Sequence, residues 1–381
     1  MDSSLQQALP QWRRHLHRHP ELSLQERETA AFVCKTLADL GIPFTAGVGG
    51  HGVVGTLTRG SSNRSVGLRA DMDALPITEA TGLPYASATA GVMHACGHDG
   101  HTASLLGAAA LLARDADWSG TVHFVFQPAE EGFGGARSML ADGLFDRFPM
   151  ERIFGYHNWP GLEAGTIAVH GGAVMAAGSR VQLVVDGHAG HAAMPHLSRD
   201  PLLASAHLLV ALQSVVSRNV DPLECAVVSI CTMNAGVAAN QIPSRSVLSG
   251  TFRTHRQAVR DLVEAGLRRV AAGIAASFDV TVAVDVEHGV CATVNTRAEA
   301  DLAVACASEL GVPVRNDVSP SMAGEDFGWY LEQKPGAFIW IGNGLARPGG
   351  ELHNPGYDFN DAILPVAAEW LARTARRALA S

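Results

Sequence analysis

The sequence has no long apolar run. No stretch of about 18 or more apolar residues is present to span a bilayer. The opening segment, "MDSSLQQALPQWRRHLHRHPEL", has no apolar signal core. There is no long basic run either, and the net charge is −9, so nucleic acid and anionic membrane are poor candidate partners. A cytoplasmic location is expected. No CxxC pair occurs among Cys34, Cys96, Cys225, Cys231, Cys291 and Cys306, which argues against a disulfide framework and against a closed four-cysteine zinc site. In a reducing compartment most of these cysteines are expected to be buried as small apolar side chains. Repeats and low-complexity segments are also missing. What remains is a globular profile: 381 residues, 47% hydrophobic and 17% charged, enough for two or three domains.

Residues 21–40 read as an amphipathic helix ended by Gly41, and "HTASLLGAAALLARDA" as a second helix. "HGVVGTLT", "SVGLRA", "GTVHFVFQ", "RIFGYHNWP" and "GAFIWIGN" read as short apolar strands. Apolar strands separated by helices predict an α/β domain with a mainly parallel sheet covered on both faces. Ligands of such sheets bind beyond the carboxyl ends of the strands. Asp71, Asp73, Glu130, Glu131 and His157 all fall at those ends. Residues 179–289 instead read β-α-β-β-α-β, the split βαβ pattern. The expected organisation is one domain from 1–178 and 290–381, with 179–289 as a compact α+β insert.

The stretch "MHACGHDGHTAS" places Cys96 and His98 one residue apart, so both side chains point one way only from an extended or looped segment. A buried thiol beside a satisfied histidine is the plainer alternative. "QPAEEG" supplies adjacent carboxylates, Glu130 and Glu131, at a strand end. Two such charges are costly there without a cation, unless the loop is solvated. With a metal present, one carboxylate can ligate while the other takes a proton from the attacking water. His157 and His353 are further donors, each weak alone. Cys96, His98, Glu131, His157 and His353 are too many for one open tetrahedral site. They suit two metals sharing a bridging ligand.

The motifs "HLHRHPELSLQE", "RADMDALP", "HACGHDGHTA", "QPAEEGFGGA", "HNWPG", "GHAGHAAMPH", "NQIP", "GTFRT" and "ELHNPGYDFND" occur in order over nearly the whole chain. Together they resemble the amidohydrolases typified by hippurate hydrolase, indole-acetyl-amino-acid hydrolase and N-acyl-amino-acid amidohydrolase. These belong to the aminoacylase and carboxypeptidase group of two-metal peptidases. The resemblance implies a metal-binding catalytic domain and a smaller ferredoxin-like domain used as a lid and for dimerisation. It maps the metal ligands onto Cys96, His98, Glu131, His157 and His353, with Cys96 where relatives use a bridging aspartate. It maps the general base onto Glu130, with Asp71 and Asp73 orienting ligands. His94, Asp99 and His101 are expected to shape the loop and cap the following helix. His15, His17 and His19 are expected to be structural.

In the insert, His191 resembles a lid histidine that holds the reacting carbonyl, with His196 a weaker candidate. Arg253 could clamp a substrate carboxylate, and Asn240 resembles a substrate-binding position. Gly324 and Glu325 look like part of the wall near the site. The expected activity is metal-dependent hydrolysis of N-acyl amino acids carrying N-acetyl, N-benzoyl or aryl-acetyl groups. A dipeptidase or carboxypeptidase on the same site is the rival enzyme, and a non-catalytic metal-binding scaffold the rival outside enzymes. Two divalent ions per chain are implied, zinc or manganese, with cobalt or nickel as alternatives. A homo-oligomer, dimer or larger, is expected through the lid domain.

Overall fold

The structure is a computed structural model that describes residues 1–132 and 134–381. Two compact units are present. One comprises Met1–Val174, Val294–Pro320 and Asp326–Ser381; the other comprises Met175–Thr293 and Ser321–Glu325.

The first unit contains an eight-stranded sheet. Its order is Phe44–Val48, Gly52–Arg59, Gly120–Gln127, Ser65–Asp71, Arg152–Pro160, Gly336–Gly344, Ile167–Ala168 and Val314–Arg315. The four central strands, from Gly120–Gln127 to Gly336–Gly344, pair in parallel. Antiparallel strands flank them on both sides. The sheet is therefore mixed, and the expectation of a mainly parallel one holds only for its centre. These central strands are buried almost throughout, because helices cover both faces.

The helix His98–Arg114 is buried along nearly its whole length. Its Leu105, Leu106 and Leu112 are fully buried, each stabilising by about 1.5–3 kcal/mol. Gly107 permits the close approach: a Cβ there would lie 2.6 Å from Leu9 Cδ2 and 2.9 Å from Ala368 Cβ. Those partners sit on the helices Ser3–Arg18 and Leu364–Ala380. The helix expected over 21–40 starts only at Arg27. Glu21 is used instead as its cap, accepting from the Glu28 and Thr29 N–H groups. Three cysteines are buried, Cys34 is half-buried, and Cys225 and Cys231 are exposed, so burial of most of them is not observed. All six are free.

In the second unit the strands Ala226–Ala235, Arg245–Thr254, Ala177–Asp186 and Thr281–His288 lie side by side in that order, all antiparallel. The helices Pro201–Asn219 and Gln257–Phe278 complete the β-α-β-β-α-β order. Alternate residues Val181, Leu183 and Val185 meet Leu208, Leu212, Val263 and Leu267 in its core. By length and mean hydropathy, Pro201–Asn219 is a helix that could cross a membrane, a test that helices of packed domains also pass.

Candidate functional site

The parallel centre of the first unit's sheet sends its strand ends to one place. Asp71 closes Ser65–Asp71 and pairs with Gln127. The Glu130–Glu131 turn follows Gln127. His157 lies near the end of Arg152–Pro160, opposite Trp340. The segment carrying His353 follows Gly336–Gly344, and its N–H donates to the Ala95 carbonyl at 2.8 Å, beside Cys96. Cys96 sits in the loop before His98–Arg114. Gly97 between the two donors has φ 94°, and a Cβ there would meet Asn158 Oδ1 at 2.3 Å and Tyr357 Oη at 2.6 Å. Glycine is therefore required at that turn.

Two donor groups result. Cys96, His98 and His157 are all buried and offer ligand atoms within 4.8 Å of one another. Cys96, Glu131 and His353 form a second group within the same limit. The Cys96 sulfur belongs to both. His157 Nε2 lies 3.4 Å from Cys96 Sγ, and His157 Nδ1 donates to the Asn158 carbonyl at 2.6 Å. His98 Nδ1 lies 3.2 Å from Asp73 Oδ1. Each of these imidazoles thus has its Nδ1 tied down; the His157 Nε2 faces the sulfur, and the His98 Nε2 lies 3.9 Å from Glu131 Oε1. His353 Nε2 is 3.2 Å from Glu131 Oε1. Glu130 offers a carboxylate oxygen within 4.8 Å of His98 and Glu131.

The electrostatics ask for cations. Asp71, Asp73, Glu130 and Glu131 converge here, and the Arg69 guanidinium pairs with Asp71 at 2.8 Å. Burial opposes charge on His98, but Asp71 and Asp73 outweigh it and push its pKa up to about 10. Burial, then Glu131 and Glu130, hold the Cys96 thiol well above its usual range. Burial keeps His157 neutral, with its pKa well below the ordinary value. His98 Nε2 is buried without a hydrogen-bond partner among the described residues, and the buried Glu131 Oε1 has His353 Nε2 at 3.2 Å but no hydrogen bond of good geometry. A divalent ion fits these observations. It would take the orphaned lone pairs and reverse the pressure on the thiol.

Asp73 supports the site directly: it accepts from Ser23 Oγ at 2.6 Å and from the Glu131 N–H at 3.0 Å, besides facing His98. Asp71 acts one step back, holding His101 Nδ1 at 2.6 Å. The capping expectation holds for Asp99, whose Oδ1 accepts the first-turn Gly100 N–H at 2.9 Å, and not for His94 and His101. The cap position is Gly97, with no side-chain bond. The other Asp99 oxygen, Oδ2, faces His17 Nδ1 at 2.8 Å and Arg13 Nε at 3.0 Å. The fully buried Arg13 also reaches Asp358 and Asp361. His15 stacks on Phe32, ring centroids 4.6 Å apart.

Sequence reasoning missed this Arg13 network. It also missed the buried set of Arg69, Gln127 and Asp326 behind Asp71. In "GEDF" it chose Glu325, a residue of the second unit, over its neighbour Asp326.

Both ring nitrogens of His17 face carboxylates, Asp99 and Glu79. Burial opposes its charge, but these two partners win and raise its pKa from 6.5 to about 9. The resulting stabilisation is complete below pH 6.5 and is lost as pH rises through about 9. Denaturant titrations of wild type and His17→Gln should therefore differ most at about pH 6.5 and least at about pH 9.5. A gap independent of pH would mean that the ring is not charged in the folded protein.

In the second unit, His191 is exposed on a two-residue strand paired with Gln241–Ile242. Asn240 adjoins it, its carbonyl accepting the Ala192 N–H at 3.0 Å. His196 is exposed in the short helix Pro195–Leu197. Arg253 donates through Nη1 to the Met322 carbonyl at 3.0 Å. It pairs with Gly178 at one end of the sheet, whereas His191 lies beyond the Arg245–Asp186 end. Those ends are about 26 Å apart along the strand at ~3.3 Å per residue. The unit does not bring His191 and Arg253 together.

Residues 67–377 match the model of peptidase family M20/M25/M40. The chain belongs to this family. Among M20 relatives, it is 41% identical over 369 residues to hippurate hydrolase of Campylobacter jejuni, a match covering 96% of this chain and 95% of that protein. It is 40% identical over 380 residues to N-acetyl-L-cysteine deacetylase of Bacillus subtilis, covering 100% of this chain and 90% of that one. A solved Bacillus subtilis structure, described as a dinuclear metal-binding peptidase from the M20 family, is similar with TM-score 0.90 at 36% identity, over 100% of both chains. The amidohydrolase resemblance carried by the nine motifs is thus a family relationship, and the chain is an M20 hydrolase.

Proposed function

We propose that this M20 hydrolase cleaves the amide bond of N-acyl amino acids, with N-acetyl, N-benzoyl or aryl-acetyl groups on the acyl side. The observation that carries the reading is the Cys96 sulfur, shared by two three-residue donor groups beside a further carboxylate, Glu130. Cys96, His98 and His157 would hold one divalent ion, and Cys96, Glu131 and His353 the other. The mixed thiolate, imidazole and carboxylate set suits zinc or manganese, with cobalt or nickel also accommodated. When bound, the ions supply Lewis acidity that polarises a carbonyl and makes water more acidic. Glu130 takes the proton from the attacking water and returns it to the leaving amine. Asp73 keeps His98 in its ligating tautomer, and Asp71 braces His101 behind it.

The second unit acts as a ferredoxin-like lid and dimerisation domain on this reading. Arg253 clamps the substrate carboxylate, its head group oriented by the Met322 carbonyl. Asn240 lines the binding site. His191 donates to the developing oxyanion. Because Arg253 lies at one end of the four-stranded sheet and His191 beyond the other, His191 is proposed to serve a second copy of the chain in a homo-oligomer. Exposed Leu202, Leu203 and Val210 on the Pro201–Asn219 helix supply apolar surface for that association. A reducing cytoplasm suits a centre built on a free thiolate.

The test is a substrate panel on metal-defined protein: N-acetyl, N-benzoyl and indole-acetyl amino acids beside dipeptides. Higher kcat/KM on an N-acyl amino acid is expected. The opposite ranking would move the assignment to a dipeptidase or carboxypeptidase. No turnover at full metal loading would favour a binding role. On the preferred substrate, wild type should discriminate against the carboxamide analogue by about ten- to hundredfold, the worth of a charge-assisted clamp. Arg253→Ala should lose that discrimination; if it keeps it, another residue reads the carboxylate.

A further inference from the structure

Behind the Glu130–Glu131 turn lies a carboxyl group that the chemistry above does not use. Glu26 is fully buried, at 0% exposure, and its Oε1 accepts the Ala129 N–H at 2.8 Å. Ala129 has φ 54°, in the left-handed region, where a non-glycine residue is strained by about 1–2 kcal/mol. Its carbonyl accepts the Gly135 N–H at 3.0 Å. The peptide groups on both sides of the Ala129 Cα are therefore fixed, and Glu130 leaves the turn immediately afterwards. Glu26 Oε2 is buried without a partner among the described residues. Burial, with Asp73 adding to it, raises the Glu26 pKa to about 7. A neutral acid with its proton on Oε2 and Oε1 as acceptor matches that environment.

The segment before Glu26 is bent to the same end. Leu24 has φ 67° and is half exposed, while Ser23 and Glu26 on either side of it face inward. Ser23 braces Asp73, and Glu26 braces Ala129. A strained, exposed leucine between two inward polar groups is the kind of distortion that persists only where its surroundings over-determine it.

We propose that Glu26 is a positioning residue for the general base: its hydrogen bond holds Ala129 left-handed and so sets the direction in which Glu130 enters the site. The proposal rests on the reading of Glu130 as that base. Glu26→Ala removes the acceptor and lets Ala129 relax to negative φ. At matched metal content and folded fraction, its kcat should fall about ten- to hundredfold with little change in KM, since displacement by about 1 Å can lose that much. Glu26→Gln keeps an acceptor of the same length and mimics the neutral acid, so its kcat should stay within about threefold of wild type. Glu26→Asp keeps the acidic group but withdraws it by about 1.5 Å, and should resemble Glu26→Ala. The aspartate variant carries the test if the alanine variant does not fold. Glu130→Gln is measured alongside. If Glu130→Gln turns over normally, the base reading fails and this inference with it. If Glu130→Gln is inactive but loaded Glu26→Ala or Glu26→Asp has wild-type kcat, the positioning role alone is overturned. A Glu26→Gln variant as slow as Glu26→Ala also overturns it, because the acid and not the acceptor would then matter.

Discussion

Glu130→Gln is expected to retain two equivalents of metal and to lose about a hundredfold to ten-thousandfold in kcat, the usual range when a general base is removed. The amide has nearly the same shape as the carboxylate but cannot accept the proton of the attacking water. Glu131→Gln should do the opposite. It removes an anionic donor whose buried Oε1 faces His353, the other donor of its group, so metal affinity should fall first, and activity should return as metal is added. Cys96→Ala takes a donor from both groups at once and should lower the metal count or the affinity for both ions. Elemental analysis with chelator competition reads the binding, and steady-state kinetics reads the turnover. If the two glutamate variants exchanged behaviours, their roles would have to be exchanged too. Full activity after exhaustive chelation would remove the metal reading altogether.

The second large effect is a gain. His191→Ala and Glu130→Gln should each be nearly inactive alone. Dissociated, mixed and reassociated, they should recover about a quarter of wild-type activity: half of randomly formed dimers are mixed, with one intact site of two. The reasoning is geometric. Arg253 stands at one end of the four-stranded sheet and His191 beyond the other, farther apart than a small N-acyl amino acid extends. In a mixed dimer, the chain bearing an intact Glu130 receives His191 from its partner. If His191 served its own chain, every site would lack one of the two groups and mixing would restore nothing. Light scattering on wild type checks the premise that the protein is oligomeric.

Much of this architecture was legible from residues alone, and the parts that were not share a cause. Short apolar strands ending in Asp71, Glu130 and His157 announce a covered sheet with polar groups at its carboxyl edge. Whether neighbouring strands run parallel is not written in their burial pattern, so the antiparallel flanks were not foreseen. The helix Ser3–Arg18 escaped notice because Pro10 and its many basic residues blur the apolar period. Its inward face includes Arg13 and His17, where apolar side chains would be expected. The donors Cys96, His98, Glu131, His157 and His353 were nameable because metal-ligating side chains are chemically conspicuous. Their supports were not. Arg69, Glu26 and Asp326 look like ordinary charged residues until partners 58 to 257 residues away are brought to them.

The buried guanidinium of Arg13 pairs with Asp99 and with Asp358, the latter 345 residues away in sequence. That single contact has a consequence for biogenesis. A ribosome making this protein releases the Ser3–Arg18 helix long before Asp358 and Asp361, and His353 is made 196 residues after His157. The first donor group is complete in sequence at residue 157; the second waits for residue 353. Loop closure over such distances is slow and must precede the contacts that reward it. Between residues 157 and 353 the nascent chain therefore carries a thiol and two imidazoles with neither the closing loop nor its acidic latch. On the two-ion reading, loading at Cys96, Glu131 and His353 becomes a late event that waits for residue 353, and chains cut short before it would be recognisable by their metal deficit.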